Sequence, residues 1–138
     1  MINHQIKPGV STTFTREARM SNALYPDGAS GGILDYLVST ATFVEVSTEA
    51  SGKMLDSLLP EGFITVGKEI QLTHERGAML GEPLTYDLVV RKVEDDNIYI
   101  DVTVSDKVGV VSTGKFKRVI VNKEELVNRA FKRAAEKA

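Results

Sequence analysis

The sequence predicts an α+β domain in which one long helix packs on an antiparallel sheet and a shorter helix follows. Two observations carry this prediction. Between residues 41 and 58, apolar side chains recur every three or four positions, which is the period of one helix face. Four later segments alternate apolar and polar residues with a period of two, which is typical of half-buried strands. One sheet beneath one helix is therefore the simplest arrangement.

Composition bounds the class of protein. The chain has 138 residues, no cysteine and a formal net charge of -2. This length fits one domain, so we expect residues 1–138 to share a single core. Disulfides, thiol catalysis and cysteine-rich zinc sites are excluded, because all of them need cysteine. The basic residues after position 122 are diluted by glutamates, so we expect no nucleic-acid partner.

Membrane insertion is not expected either. No stretch approaches the ~20 consecutive apolar residues of a membrane helix. Residues 3–7 are mostly polar and lack the hydrophobic region of a signal peptide. We therefore expect a cytoplasmic protein.

The first strand is expected within residues 9–18, where Val10, Thr12 and Phe14 alternate with other residues in a threonine-rich segment. Turn-forming residues between positions 25 and 32 then break the pattern and predict a loop.

The long helix is expected to run from about Ala41 to Leu58, with Thr40 as its N-cap. Pro60 and Gly62 close the segment. Its β-branched residues weaken the local helix propensity, so the helix depends on the sheet beneath it. The apolar stripe comprises Phe43, Val46, Ala50, Met54 and Leu58.

The four strands are expected to form an antiparallel meander, because short turns at residues 95–97 and 106–109 connect the later ones. The apolar rows are Ile64, Val66, Ile70, Leu72; then Leu84, Tyr86, Leu88, Val90; then Ile98, Ile100, Val102, Val104; and, within residues 110–121, Phe116 and Ile120.

A last helix is expected to close the domain. Asn122 is a plausible N-cap, with Glu125 as its capping-box partner. A short apolar stripe follows, made of Leu126, Val127, Ala130, Phe131 and Ala134.

His74 is the first candidate for catalysis, since the only other histidine, His4, lies near a terminus that we expect to fray. His74 continues the row that begins at Ile64, so the strand period turns its ring toward the helix. There it could act as a general base. The alternative is a core histidine bonded to a backbone carbonyl.

Thr40 and Gly67 carry similar alternatives. A threonine at a helix start is usually only a cap, yet the free amides around it can stabilise an oxyanion. Gly67 within a strand indicates either a ligand contact or a β-bulge. A bulge would also explain why Lys68 stands between Val66 and Ile70 in the row of inward-facing residues. Without a bulge, the Lys68 side chain would point inward and could contact a phosphate or carboxylate group.

Three short motifs keep a fixed order along the chain. They are Ser39-Thr40-Ala41 at the helix start, Val66-Gly67 ahead of Thr73-His74, and Gly114 four residues before Arg118. This pattern resembles the hotdog-fold acyl-CoA thioesterases, and is most similar to the fluoroacetyl-CoA thioesterase family, over about residues 9–121. The resemblance implies a five-stranded antiparallel sheet wrapped around the long helix.

The resemblance also implies roles for individual residues. Thr40 would be the catalytic hydroxyl, His74 the general base and Gly67 an acyl-CoA contact. The family's helix glutamate falls at Thr48, and Ala41 stands where the family has proline. The neighbouring acid is Glu49, whose side chain points about 100° away around the helix. Glu45 is the other acid of this helix. The alternative for both glutamates is a carboxylate that is solvated or bridges the dimer. Further substrate contacts are expected at Lys68, Tyr36, Phe43 and Arg118.

The resemblance alone also implies how the subunits assemble and which residues form a lid. The family forms homodimers in which two sheets join edge to edge and the acyl-CoA sites follow the helix-to-helix interface; a dimer of dimers is the larger form. Tyr25, Leu34 and Tyr36 occupy the place of the family's aromatic lid.

Three functions remain open. The first is hydrolysis of a small or medium acyl-CoA to free acid and CoA, without a metal or other cofactor. The second is a non-hydrolytic hotdog domain that binds acyl-CoA or another small ligand and has lost the helix acid at Thr48. A dehydratase on the same fold is a third option, made less attractive because no histidine-aspartate pair lies on the helix.

Overall fold

The five strands found among the described residues form one sheet, with every neighbouring pair antiparallel. A computed structural model describes residues 4–19, 22–24 and 32–136. The elements are β1 (Ser11–Glu17), a 3-10 turn (Ile33–Tyr36), α1 (Thr40–Asp56), β2 (Phe63–His74), β3 (Pro83–Glu94), β4 (Asn97–Ser105), β5 (Val110–Asn122) and α2 (Lys123–Ala135). The predicted α+β class, with a five-stranded sheet, a long helix on it and a C-terminal helix, is confirmed.

The strand order is β1-β3-β4-β5-β2. The predicted meander is right for β3, β4 and β5 but wrong for β2, which lies at the far edge beside β5 and not beside β3. Residues 75–82 make this possible, because such a segment easily spans the ~14 Å across the two intervening strands. A hairpin turn between β2 and β3 would have forced them together.

A bulge in β2 decides which side chains face α1. The pairing with β5 shifts register between Gly67 and Glu69, as predicted. Before the bulge, Thr65 faces the helix and bonds to Asp56, so the prediction that Ile64 and Val66 do so is wrong. After the bulge, the alternate residues that face the helix are the even-numbered ones, so His74 points toward α1 as expected.

Helix α1 starts one residue earlier than its predicted cap implies. Ser39, not Thr40, is the N-cap, and its side chain accepts a hydrogen bond from the Thr42 amide. Thr40 is therefore the first residue of the helix. The buried face is also more polar than predicted, because Ser47 and Ser51 are fully buried on it.

The core lies between α1 and the central strands. Side chains from α1, including Phe43 and Leu55, pack on the predicted apolar rows of β3 and β4, all of which are buried. Phe116 and Ile120 of β5 join them, as predicted.

Helix α2 departs from its predicted role. Asn122 caps it as expected, accepting from the Glu125 amide. Yet no residue of α2 is buried. The helix therefore does not close the domain, because its apolar stripe remains in solvent.

Burial of Tyr86 in the core makes the stability of the fold depend on pH in the alkaline range. Burial raises the pKa of Tyr86 to about 12, whereas a tyrosine of the unfolded chain ionises near pH ~10. Above that lower value the unfolded chain loses a proton that the folded chain keeps. The free energy of unfolding therefore falls as the pH rises, by about 1.4 kcal/mol per unit at most.

We expect wild type to lose about 2 kcal/mol more than Tyr86→Phe between about pH 9 and pH 12. Urea unfolding of both proteins across this range measures the difference. Parallel pH profiles for the two proteins would contradict the raised pKa.

Candidate active site

Thr40 and His74 meet where α1 begins and β2 ends. The Oγ1 of Thr40 lies 2.8 Å from Nδ1 of His74, within hydrogen-bond distance. Thr40 is exposed and His74 is half-buried. Because α1 and β2 run antiparallel, the first residue of the helix and the last residue of the strand share one end of the structure. The predicted meeting of these two side chains is therefore present within one subunit.

The His74 ring is held from behind by aromatic side chains. The ring of Phe43 meets it edge-on, with centroids 4.7 Å apart and planes 64° apart. Phe43 in turn contacts Tyr86 at 6.4 Å, and Tyr86 stacks on Phe14 at 5.1 Å. Phe43 is fully buried, and its predicted contact with substrate stays a prediction. Phe43 orients the imidazole from within the core.

The proton on His74 decides what the pair can do. If Thr40 donates to Nδ1, the imidazole is placed to take the hydroxyl proton, as a general base does. In the other tautomer Nδ1 donates to Thr40, and Nε2 is the basic nitrogen. Nε2 is buried and has no hydrogen-bond partner among residues 4–19, 22–24 and 32–136. Nδ1 is thus the nitrogen placed to exchange a proton with Thr40.

The start of α1 is fixed by neighbouring segments. The amide of Ser39 donates to the carbonyl of Asn22, and the hydroxyl of Thr42 donates to the same carbonyl. Val38 donates to the carbonyl of Ala78. The amides of Thr40 and Ala41 belong to the first turn, where helical N–H groups have no acceptor inside the helix. This end therefore combines a hydroxyl, an imidazole and outward-facing amides.

Arg118 joins β5, β2 and α1 beneath the middle of the helix. Its Nε donates to the Thr65 hydroxyl at 2.8 Å, and Nη2 donates to the Thr65 carbonyl at 2.9 Å. Its Nη1 donates to the carbonyl of Thr48 and to the hydroxyl of Ser51, both at 3.3 Å. We call Arg118, Thr65, Ser51 and Asp56 the arginine clasp.

The clasp continues to a carboxylate. The hydroxyl and the amide of Thr65 both donate to Oδ1 of Asp56, at 2.8 and 2.9 Å. Burial lowers the pKa of Arg118, and the charge of Asp56 opposes that shift. The guanidinium thus remains charged, although its side chain is only 6% exposed.

Glycines make room for the guanidinium. A Cβ at Gly52 would lie 3.1 Å from Nη2 of Arg118, and a Cβ at Gly67 would lie 4.0 Å from Nη1. The donors of Arg118 face the protein and fasten the helix to the sheet, and its predicted contact with substrate stays a prediction. Gly114, the other member of that motif, is also structural, since a Cβ there would lie 3.1 Å from the Gln71 carbonyl.

Thr48 lies beside the clasp on α1. Its carbonyl accepts from Arg118 and from the Ser51 hydroxyl. Its own Oγ1 is buried without a hydrogen-bond partner in the described part of the chain, and the same holds for Oγ of Ser47. Buried hydroxyls normally have partners. Two such groups on successive residues leave unused hydrogen-bonding capacity in this stretch of the helix.

Glu49 lies on the exposed surface of α1, and its predicted catalytic role stays a prediction. Its carboxylate pairs with Lys53 at 3.0 Å in solvent, and Lys53 lowers the pKa of that carboxyl. Glu49 lines a surface hollow with Phe14 and Arg16, on the β1 side of the helix. The 100° step from Thr48 thus carries it away from His74.

The remaining predicted contacts lie on β2 and in the 3-10 turn before α1. Gly67 forms the β2 bulge, and Lys68, within that bulge, is exposed, so it is not an inward lysine. Tyr36 ends the 3-10 turn before α1 and is 55% exposed; Leu34 of the same turn is also exposed. Tyr25, the third residue of the predicted lid, lies outside the described residues.

Sequence reasoning missed the clasp and its polar neighbours. Hydrophobic period assigns Ser47, Ser51 and Thr65 to no core, because it counts apolar residues only. A signal was nevertheless present: Arg118 falls between Phe116 and Ile120 on the inward row of β5, where an unpaired charge would be costly. Asp56 and Thr65 could then have been sought as its partners.

The described residues were searched for a metal site and for a membrane-spanning helix. They include no group of three or more His, Cys, Asp or Glu side chains that could hold a metal ion. No helix within the described ranges is long and apolar enough to cross a membrane.

Comparison with known proteins identifies related sequences and structures. The model of the family described as fluoroacetyl-CoA-specific thioesterase matches residues 26–124. No curated protein matches the chain significantly. Among solved structures, a hot-dog-like protein from Thermanaerovibrio acidaminovorans is 28% identical, with 91% of each chain covered and a TM-score of 0.82.

Two further structures share the fold at lower identity. A thioesterase superfamily member from Thermus thermophilus is 21% identical, covers 96% of this chain and 95% of its own, and has a TM-score of 0.82. A variant of a fluoroacetyl-CoA-specific thioesterase, solved with fluoroacetate and CoA, is 19% identical, covers 88% and 99%, and has a TM-score of 0.77. These likenesses confirm the predicted hotdog fold.

The arginine clasp yields a stability prediction. We expect Arg118→Met to lower the free energy of unfolding by about 3 kcal/mol, because it leaves two buried carbonyls without a charged donor. The matched control is Arg91→Met, which removes an exposed ion pair with Asp101 and should cost less than about 1 kcal/mol. Urea unfolding measures both. Equal losses would mean that the clasp adds nothing beyond a surface pair.

Proposed function

The chain belongs to the fluoroacetyl-CoA-specific thioesterase family, and from that premise we propose that it hydrolyses an acyl-CoA thioester to the free acid and CoA. The observation that carries the proposal is the 2.8 Å contact between Thr40 and His74 at the start of α1. Water supplies the oxygen that the acid gains, and the CoA sulfur leaves with a proton.

In this proposal His74 moves the proton. It takes one from the attacking group, which is either the Thr40 hydroxyl or a water that Thr40 orients, and returns it to the departing sulfur. Phe43 keeps the ring facing Thr40 throughout. If Thr40 attacks first, a second cycle with water releases the acid and restores the hydroxyl.

The amides at the start of α1 are placed to stabilise the oxyanion. The thioester carbonyl gains negative charge during attack, and outward-facing N–H groups with the helix dipole behind them favour that charge. Ala41 contributes an amide at the position where the family has proline, which has none. This chain can therefore offer one donor more than the family pattern.

A short acyl group is the substrate that we propose. The family's description and the relative solved with fluoroacetate and CoA point to this class. Gly67, Lys68 and Tyr36 are the candidate contacts that we propose for the CoA ester.

We also propose a homodimer joined at the β2 edges. Ile70 lies on the same inward row as Leu72 and His74, yet it is 46% exposed, because α1 does not cover this part of β2. An apolar side chain left open beside the active site suits coverage by a second copy. Light scattering that finds only monomers at micromolar concentration would contradict this dimer.

Catalysis by His74 is tested by substitution. We expect His74→Ala to lower kcat for the best short acyl-CoA by about a hundredfold or more, the usual reach of general-base catalysis. Thiol release measures the rate. His4→Ala is the matched control, since it removes the only other histidine of the chain and should leave the rate unchanged. A fully active His74→Ala protein would refute the mechanism.

A second candidate function is acyl-CoA binding without turnover. One observation favours it: Thr48 stands where the family has a glutamate, and the nearest acid, Glu49, is held by Lys53 away from His74. Under this candidate, calorimetry detects binding of an acyl-CoA while thiol release stays at background. Steady turnover by wild type would dismiss it.

Thr48→Glu separates the two candidates further. A carboxylate at this position would lie where Oγ1 of Thr48 now lacks a partner. If that acid is the missing group, turnover should rise about tenfold or more. Glu49→Gln, which changes only the exposed acid, should not alter the rate. A folded Thr48→Glu protein with unchanged turnover would show that the site works without a carboxylate.

A further inference from the structure

A surface hollow lies between α1 and β1, at the edge of the sheet opposite to β2. Its volume is about 290 Å³. Phe14, Ala50 and Met54 give it an apolar floor, because all three are half-buried and pack against the core. The polar residues of its lining are Thr12, Arg16, Glu49 and Lys53. The hollow therefore combines an apolar floor with a charged rim.

The charges of the rim do not cancel. Glu49 is already paired with Lys53, with Oε1 and Nζ 3.0 Å apart. The guanidinium of Arg16 lies 5.4 Å from the centroid of the Phe14 ring, and has no hydrogen-bond or ion-pair partner among residues 4–19, 22–24 and 32–136. Lys53 lowers the pKa of the Glu49 carboxyl most, and the charge of Arg16 lowers it further. One positive charge at the rim thus remains unmatched.

The direction of Arg16 follows from the strand register. Arg16 pairs with Leu84 of β3, and Leu84 belongs to the buried row that packs on α1. Arg16 therefore leaves the sheet on its inward face, toward the helix. An inward charge on an edge strand can serve to prevent pairing between molecules. That role needs no apolar floor beside the charge, whereas binding of an amphipathic ligand needs both.

The size and charge of the hollow indicate its ligand. A volume at the small end of ligand pockets, with ~30 Å³ for each water-sized group, holds about ten non-hydrogen atoms. The single unmatched cation selects one negative charge, and the floor selects an aliphatic tail. A tailless anion would leave the floor bare, and a neutral amphiphile would leave Arg16 unmatched.

We propose that this hollow binds a monocarboxylate with a straight aliphatic chain of about six to eight carbons. The carboxylate accepts hydrogen bonds from Arg16, and the chain lies on Phe14 and Met54.

The hollow is separate from the catalytic pair. Phe14 stacks on Tyr86 at 5.1 Å, Tyr86 meets Phe43 at 6.4 Å, and Phe43 meets His74 at 4.7 Å. Tyr86 and Phe43 are fully buried, so two core rings stand between the floor of the hollow and the imidazole. Binding here does not depend on the hydrolysis that we propose for Thr40 and His74.

The methyl group of Met54 reports on occupancy of the floor. In protein with ¹³C-labelled methionine methyls, we expect octanoate to shift the Met54 signal saturably, with a Kd of about 1 mM or below. The same shift should appear in His74→Ala, because that variant alters only the catalytic pair. Octanoate that shifts other methionine methyls and leaves Met54 unmoved would overturn the proposal.

Substitution of Arg16 tests the charge. We expect Arg16→Gln to raise the Kd for octanoate at least about fivefold, because the carboxylate loses its charged donor. Arg91→Gln is the matched control, since Arg91 is an exposed arginine of β3 paired with Asp101, and it should leave the Kd unchanged. Circular dichroism checks that both variants stay folded.

A neutral ligand tests the same charge without a substitution. Octan-1-ol has the same chain but no carboxylate, so wild type should bind it at least about fivefold more weakly than octanoate. Equal affinity of wild type for the two ligands, or equal affinity of wild type and Arg16→Gln for octanoate, would overturn the proposal.

Discussion

The alignment of α1 against β2 is fixed by side-chain hydrogen bonds at both ends of the helix. At one end Thr40 meets His74, and at the other Asp56 accepts two bonds from Thr65. Because helix and strand run antiparallel, neither contact can slide without breaking the other. Between these two contacts, Arg118 bonds to Thr48 of the helix and to Thr65 of the strand. The candidate catalytic pair is thus positioned both by a buried network many residues away and by the segments around Asn22 and Ala78 that bond to the start of α1.

Much of this fold could be predicted from the spacing of apolar residues along the chain and from the residues that form turns and helix caps. The rows of β3 and β4 are buried as predicted, and Asn122 caps α2 as predicted. The position of β2 could not be predicted, since alternation defines a strand but not its neighbour. For α2, an apolar stripe shows that a face needs covering, but a single sequence does not say whether the same chain covers it.

The candidate site was predicted more successfully at Thr40 and His74 than around them. Both were chosen for position, one at a helix start and one at a strand end, and position follows from secondary structure. Phe43 and Arg118 were assigned to the ligand by resemblance, yet burial gives them supporting roles. A residue type conveys chemistry, but only packing shows whether its polar atoms face a substrate or the protein.

The bulge at Gly67 has a consequence for how safely the chain folds. Strand β2 is twelve residues long and ends the sheet, and an unbroken edge of that length is a template on which unfolded chains can add and aggregate. The register shift breaks this ladder near its middle, and exposed Lys68 and Glu69 place opposite charges at the break. The irregularity that turns His74 toward α1 therefore also limits uncontrolled growth of the sheet in newly made subunits.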